Sequence, residues 1–161
     1  MVIRSSRSLL LAGILLLSTT PTWAGGGFGM TWAKVGHDSS NGADHVDCSG
    51  CDAYTGDTDC TAYLPILCYK YDGSSVPPGL SPSFYNGWKY GHIGLTLPVK
   101  GTQLTSLADA NKLCEHYFGP GYEIAEFHHN LGGWSWWVFG NVRDDQRFWT
   151  YINNQPANCW D

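Results

Sequence analysis

Glu126 and His128 stand two residues apart in the segment Tyr122 to His128, whose pattern predicts a strand, so the carboxylate and the imidazole share one face. That is the start of a metal site, with Glu123 and His129 alongside and His92 or His116 as distant third ligands. Neither HExxH nor any paired-His spacing accompanies them. Two liganding side chains do not hold zinc, and polar residues that close a strand have the same pattern. Asp52, Asp57 and Asp59 also cluster, without the spacing or terminal Glu of an EF-hand loop. No GxSxG nucleophile motif occurs. The sequence therefore predicts no catalytic residue and no cofactor.

Sulfur is the second chemistry on offer. Cys48-Ser49-Gly50-Cys51 has the spacing of a thiol–disulfide motif, but Asp47 and Asp52 flank it, and negative charge raises a thiol pKa. A structural disulfide is the better reading. Cys60, Cys68, Cys114 and Cys159 complete an even set of six, enough for three disulfides in an oxidising compartment. Six cysteines allow about 15 pairings, and sequence alone does not choose among them.

Tryptophan is the third. Trp32, Trp88, Trp134, Trp136, Trp137, Trp149 and Trp160 all follow residue 24. Indoles are large and rigid, carry an N–H that wants a partner, and stack on sugar rings or centre protein interfaces. Core filling is the competing use, because a small domain poor in Leu, Ile and Val can bury Trp instead. Trp134 and Trp136 share one side of a predicted strand and Trp137 takes the other. With Trp149 and the amides Asn153, Asn154 and Gln155, they form the candidate ligand-binding set.

The ends of the chain bound where this chemistry operates. Arg4 and Arg7, an apolar run from Leu9 to Leu16, and Pro21-Thr22-Trp23-Ala24 follow the order of a secretory signal peptide cleaved after Ala24. The run is shorter than the ~20 residues of a spanning helix, so no membrane span is expected in the mature form. The remaining 137 residues suit one domain; seven basic against fourteen acidic residues give it a charge of −7. That balance excludes nucleic acid and anionic membrane surfaces as main partners.

Residues 25–47 are rich in Gly, Ser and Asp without a sustained period and read as a flexible N-terminal arm, with at most a short edge strand from Thr31 to Val35. Residues 48–161 then form a single disulfide-rich domain. Residues 48–60 are dense in turn formers and predict a tight knot. Thr61 to Tyr71 predicts a strand broken by Pro65, and His92 to Val99 alternates with period two. Ser106 with Asp109 marks a helix start; Ala110, Leu113, Cys114, Tyr117 and Phe118 make an apolar stripe, and Gly119-Pro120 stops it. Tyr122 to His128, Trp134 to Phe139 and Arg147 to Asn153 follow as strands. Strands, one main helix, then strands predict an α+β fold with a mostly antiparallel sheet.

Ser106 to Cys114, followed by Gly121-Tyr122-Glu123-Ile124-Ala125-Glu126-Phe127-His128, resembles the first helix and next strand of a C-type-lectin-like domain, and Phe148 to Asn153 resembles that family's Trp-Ile-Gly-Leu strand. The resemblance covers about 50 residues, roughly 105–160. It implies a disulfide between the helix Cys and one near the chain end, Cys114–Cys159, and a long loop of this kind would contribute ~4 kcal/mol. Gln155-Pro156-Ala157 is similar to the family's sugar-binding Gln-Pro-Asp triplet, with Ala157 in place of the carboxylate. The Trp-Asn-Asp partner motif is absent, so the family's Ca2+ site does not carry over. Gly56-Asp57-Thr58, Leu64 to Cys68 and Gln155 to Trp160 also resemble uncharacterised secreted bacterial proteins, which implies no activity.

The sequence thus predicts an exported, non-enzymatic module that recognises a carbohydrate or a surface protein ligand through exposed aromatics. A structural component of an envelope or extracellular filament and an exported metal-dependent hydrolase are its rivals.

Overall fold

The computed structural model describes residues 27–129 and 133–161. The signal peptide expected over residues 1–24 lies outside the described residues.

Seven strands form the main sheet: β1 (Thr31–Asp38), β2 (Ala43–Asp47), β3 (Leu67–Tyr71), β4 (Asn86–Leu95), β5 (Glu123–Ile124), β6 (Ser135–Phe139) and β7 (Phe148–Trp149). Their order is β7-β1-β2-β6-β4-β3-β5, and every pairing is antiparallel except β6 with β4. Two short ladders, Phe28–Gly29 with Thr58–Asp59 and Tyr63–Leu64 with Val99–Lys100, flank it. One α-helix among the described residues, α1 (Leu107–Phe118), completes a small disulfide-bonded α+β fold. Among the described residues no helix is long and apolar enough to cross a membrane.

The helix forms where its caps are. Ser106 Oγ accepts from Asp109 N at 3.1 Å, and Gly119, at φ 93°, donates its N–H to Glu115 O at 2.8 Å. Ala110 and Cys114 bury against β3 and β5, while Tyr117 and Phe118 at the end of the stripe stay partly exposed. Pro65 breaks its strand as expected, into Tyr63–Leu64 and β3.

The expected arm is where the structure departs most from the sequence reading. Residues 31–38 and 43–47 are β1 and β2, an antiparallel hairpin within the sheet. Asp38 accepts from Ser40 N and Asn41 Nδ2, and Gly42, at φ 65°, closes the turn. Two inward charges conceal this hairpin's alternation. Lys34 on β1 and Asp44 on β2 meet in the interior at 2.7 Å, so a strand that should read apolar-polar carries ions on its buried face.

The disulfides are Cys48–Cys51, Cys60–Cys159 and Cys68–Cys114. The pairing implied by the lectin resemblance, Cys114–Cys159, is not formed. Because α1 packs on β3, Cys114 meets Cys68 at a Cα separation of 5.4 Å. The C-terminal segment instead turns back onto Cys60, and Gly29 and Gly101 make room for it: a Cβ on either would lie 2.5 Å from Cys159 Sγ.

The main core joins Met30, Trp32, Val46, Leu67, Tyr69, Phe127, Trp136 and Phe148. A second, under α1, joins Ile66, Leu104, Ala110, Ile124 and Trp149 around the two long-range disulfides. Each fully buried large side chain contributes about 1.5–3 kcal/mol of apolar transfer.

Candidate functional site

The candidate tryptophans separate. Trp136 is 1% exposed and packs on Trp32 with ring centroids 5.5 Å apart. Trp149 is 2% exposed, and its indole N–H donates to Val99 O. Neither presents a face to a ligand, so both leave the binding set: they are core. Trp137 lies on the opposite face of the sheet from Trp136, stacked on His45 at 4.6 Å. Trp134 is 41% exposed.

Around Trp134 a hollow of about 280 Å³ brings together Tyr54, His128, Asn154 and Gln155. Phe127, Ile152 and Ala53 supply its apolar lining. Asn153 lies outside it, in a neighbouring hollow with Trp160. Of the residues predicted for a ligand, the structure thus gathers Trp134, Asn154 and Gln155.

Each wall is fixed locally. Gly133, at φ 71°, precedes Trp134, and a Cβ there would sit 2.4 Å from the Phe127 ring, so glycine permits Trp134 and Phe127 to pack edge to face at 5.0 Å. Trp134 O accepts Cys48 N at 2.9 Å, joining this wall to the Cys48–Cys51 turn. Asp52 holds the Tyr54 wall by accepting from the Tyr54 and Thr55 amides and from the Thr55 hydroxyl. Those bonds, the Thr55 side chain first, lower the Asp52 pKa from its usual value.

The amide wall hangs on Asn158. Its Oδ1 accepts Ile152 N and its Nδ2 donates to Ile152 O, while the Asp161 carboxylate accepts from both Asn158 N and Nδ2. This clamp fixes the ends of the loop carrying Asn154 and Gln155.

His128 forms the fourth wall. Its Nδ1 lies 3.2 Å from Glu126 Oε1, and Glu126 is buried. A carboxylate at Nδ1 favours the proton there and orients the ring, leaving Nε2 as the second polar atom of the imidazole. Glu126 and His128 are in contact, but the strand expected from Tyr122 to His128 is only Glu123–Ile124 and His128 sits in a turn, so a shared strand face is not what joins them. Among the described residues, however, no three of His, Cys, Asp and Glu assemble as metal ligands. His92 is engaged with Asp72 at 2.6 Å, and His116 packs against Tyr117 on α1.

Behind this wall lies Lys89, wholly buried. Its Nζ donates to Glu126 O and His129 O and lies 4.8 Å from the Tyr69 ring centroid and 4.5 Å from that of Trp136. Burial holds its pKa well below the ordinary lysine value, against the pull of Glu126 and Glu123. Glu123 is pushed up, mainly by burial.

Sequence reasoning missed Tyr54 and Lys89. Tyr54 sits in a turn-rich knot, where the only signal was an aromatic within an Asp-rich stretch. Lys89 lies on an inward face of β4 between Gly87 and Gly91, a pattern that reads as solvent-facing. A further group of exposed aromatics, Phe84, Tyr85 and Tyr90, also went unsignalled; Phe84 and Tyr90 line a groove of about 550 Å³ over Trp88.

Comparison with family models, with curated proteins and with solved structures finds no match to this chain.

Proposed function

We propose that this is an exported, non-enzymatic binding module that takes a saccharide ring in the hollow beside Trp134. The observation that carries the reading is the convergence of an exposed indole, a tyrosine, two amides and an oriented imidazole on one hollow of about 280 Å³. Aromatic faces suit the C–H surface of a sugar, and amides with an imidazole suit its hydroxyls. The leader-like first 24 residues and the three disulfides support export to an oxidising compartment.

A glycan array probed with the natively isolated protein tests this, with Trp134→Ala as the control. The expected result is a set of related glycans retained by the native protein and lost with the variant. A blank array at high micromolar protein, or signals indifferent to the substitution, would overturn it.

A further inference from the structure

Cys48–Cys51 differs from the other two disulfides in what it closes and where it lies. Its partners are three positions apart, against 46 and 99 for Cys68–Cys114 and Cys60–Cys159. A bridge this local restricts the unfolded chain least, so it adds least to global stability and fixes mainly its own turn. Cys51 is half-buried, whereas Cys60, Cys68, Cys114 and Cys159 lie in the second core.

The turn it closes is backbone-strained and leads into the hollow. Ser49, a non-glycine residue, sits at φ 44°, and Gly50 at φ 80°. Three residues on from Cys51, Tyr54 forms one wall of the hollow. On the other side of the bridge, Cys48 is anchored independently: its N–H donates to Trp134 O, and Arg147 donates to Cys48 O and Ser49 O. The Arg147 guanidinium thus fixes the backbone of Cys48 and Ser49 on that side of the bridge. Asp47 and Asp52 direct their carboxylates to local amides, those of Ser49 and of Tyr54 and Thr55.

We propose that Cys48–Cys51 is a thiol–disulfide exchange site for a dithiol reductant, and that opening it releases the turn carrying Tyr54. One thiolate of the dithiol attacks Cys51 Sγ, the more open sulfur, forming a mixed disulfide and expelling Cys48 sulfur, which takes a proton from water. The second thiol attacks the mixed disulfide and expels Cys51 sulfur, which is protonated in turn. Two electrons and two protons pass to the protein, and the dithiol leaves as its own disulfide. Cys48 stays held by Arg147 and Trp134, Ser49 relaxes, and the Cys51 end swings free with the Tyr54 wall. The consequence for ligand binding rests on the saccharide reading of the hollow; the exchange itself does not.

Dithiothreitol on the full, natively folded chain tests this, followed by iodoacetamide labelling mapped by peptide mass spectrometry and by amide hydrogen exchange. Cys48 and Cys51 should label at least tenfold faster than the other four cysteines, and the amides of residues 53–55 should exchange at least tenfold faster after reduction. The Cys48→Ser, Cys51→Ser double variant should reproduce that exchange rate without reductant. Labelling of Cys68 or Cys114 in step with Cys48, or unchanged protection at residues 53–55, would overturn the proposal. These readouts need no ligand, so an opened turn in a protein that binds no glycan would sink the saccharide reading alone.

Discussion

The Nζ of Lys89 lies 4.5 Å from the ring centroid of Trp136, inside the main core and directly behind the segment that carries His128. A buried amine there links stability to proton uptake. Its folded pKa is lowered, so between that value and the unfolded value of about 10.4 the unfolded chain holds more protons. Stability from this group therefore rises with pH across that window and is lost on descending through it. Relative to Lys89→Met, the stability of the native protein in urea unfolding should rise as pH is raised toward the unfolded value. Parallel curves for the two proteins would contradict this.

Asp44 is a second buried charge with a structural role. It pairs with Lys34 and His37, each at 2.7 Å, and accepts Val142 N at 2.7 Å. Asp44→Ala strips all three partners at once and should cost about 3–5 kcal/mol, read as a lower urea midpoint. A loss under about 1 kcal/mol, the scale of an exposed pair, would show that this network does not hold the hairpin.

The three disulfides should differ in worth. The chain-entropy model gives about 5 kcal/mol for Cys60–Cys159, about 4 for Cys68–Cys114 and about 2 for Cys48–Cys51, from loop length alone. Paired Cys→Ser variants measured by urea unfolding should rank in that order. A Cys48–Cys51 variant as costly as the Cys60–Cys159 one would reverse the argument.

Asn158→Ala should act on the hollow through its amide wall. The substitution leaves Ile152 N and O without their partner and should cost about 1–3 kcal/mol. Amide exchange at residues 152–155 should quicken well before any change on β2 or β6. Uniform quickening across the sheet would show a global rather than local effect.

Legibility followed locality. The caps of α1, the break at Pro65 and the strand at Trp134 to Phe139 follow from neighbours within a few positions, and all are present. The β1–β2 hairpin was illegible because Lys34 and Asp44 occupy inward positions, and a cross-strand ion pair has no signature within either strand. Disulfide pairing depends on where α1 docks, which is a tertiary fact. Trp134, Asn154 and Gln155 were identifiable by type; their company with Tyr54 and His128 was not, since it depends on turns far apart in sequence. Trp136 and Trp149 show the cost of reading function from residue type, because the same indole serves equally well as core.

The saccharide site is tested most directly by calorimetric titration of the best array oligosaccharide against the native protein, Trp134→Ala and Trp137→Ala. The hollow predicts at least a tenfold weaker Kd for the Trp134 variant, equivalent to about 1.4 kcal/mol, and a change within about twofold for Trp137, which lies on the other face of the sheet. Undiminished binding by the Trp134 variant, or a greater loss at Trp137, would place the ligand elsewhere and contradict the account.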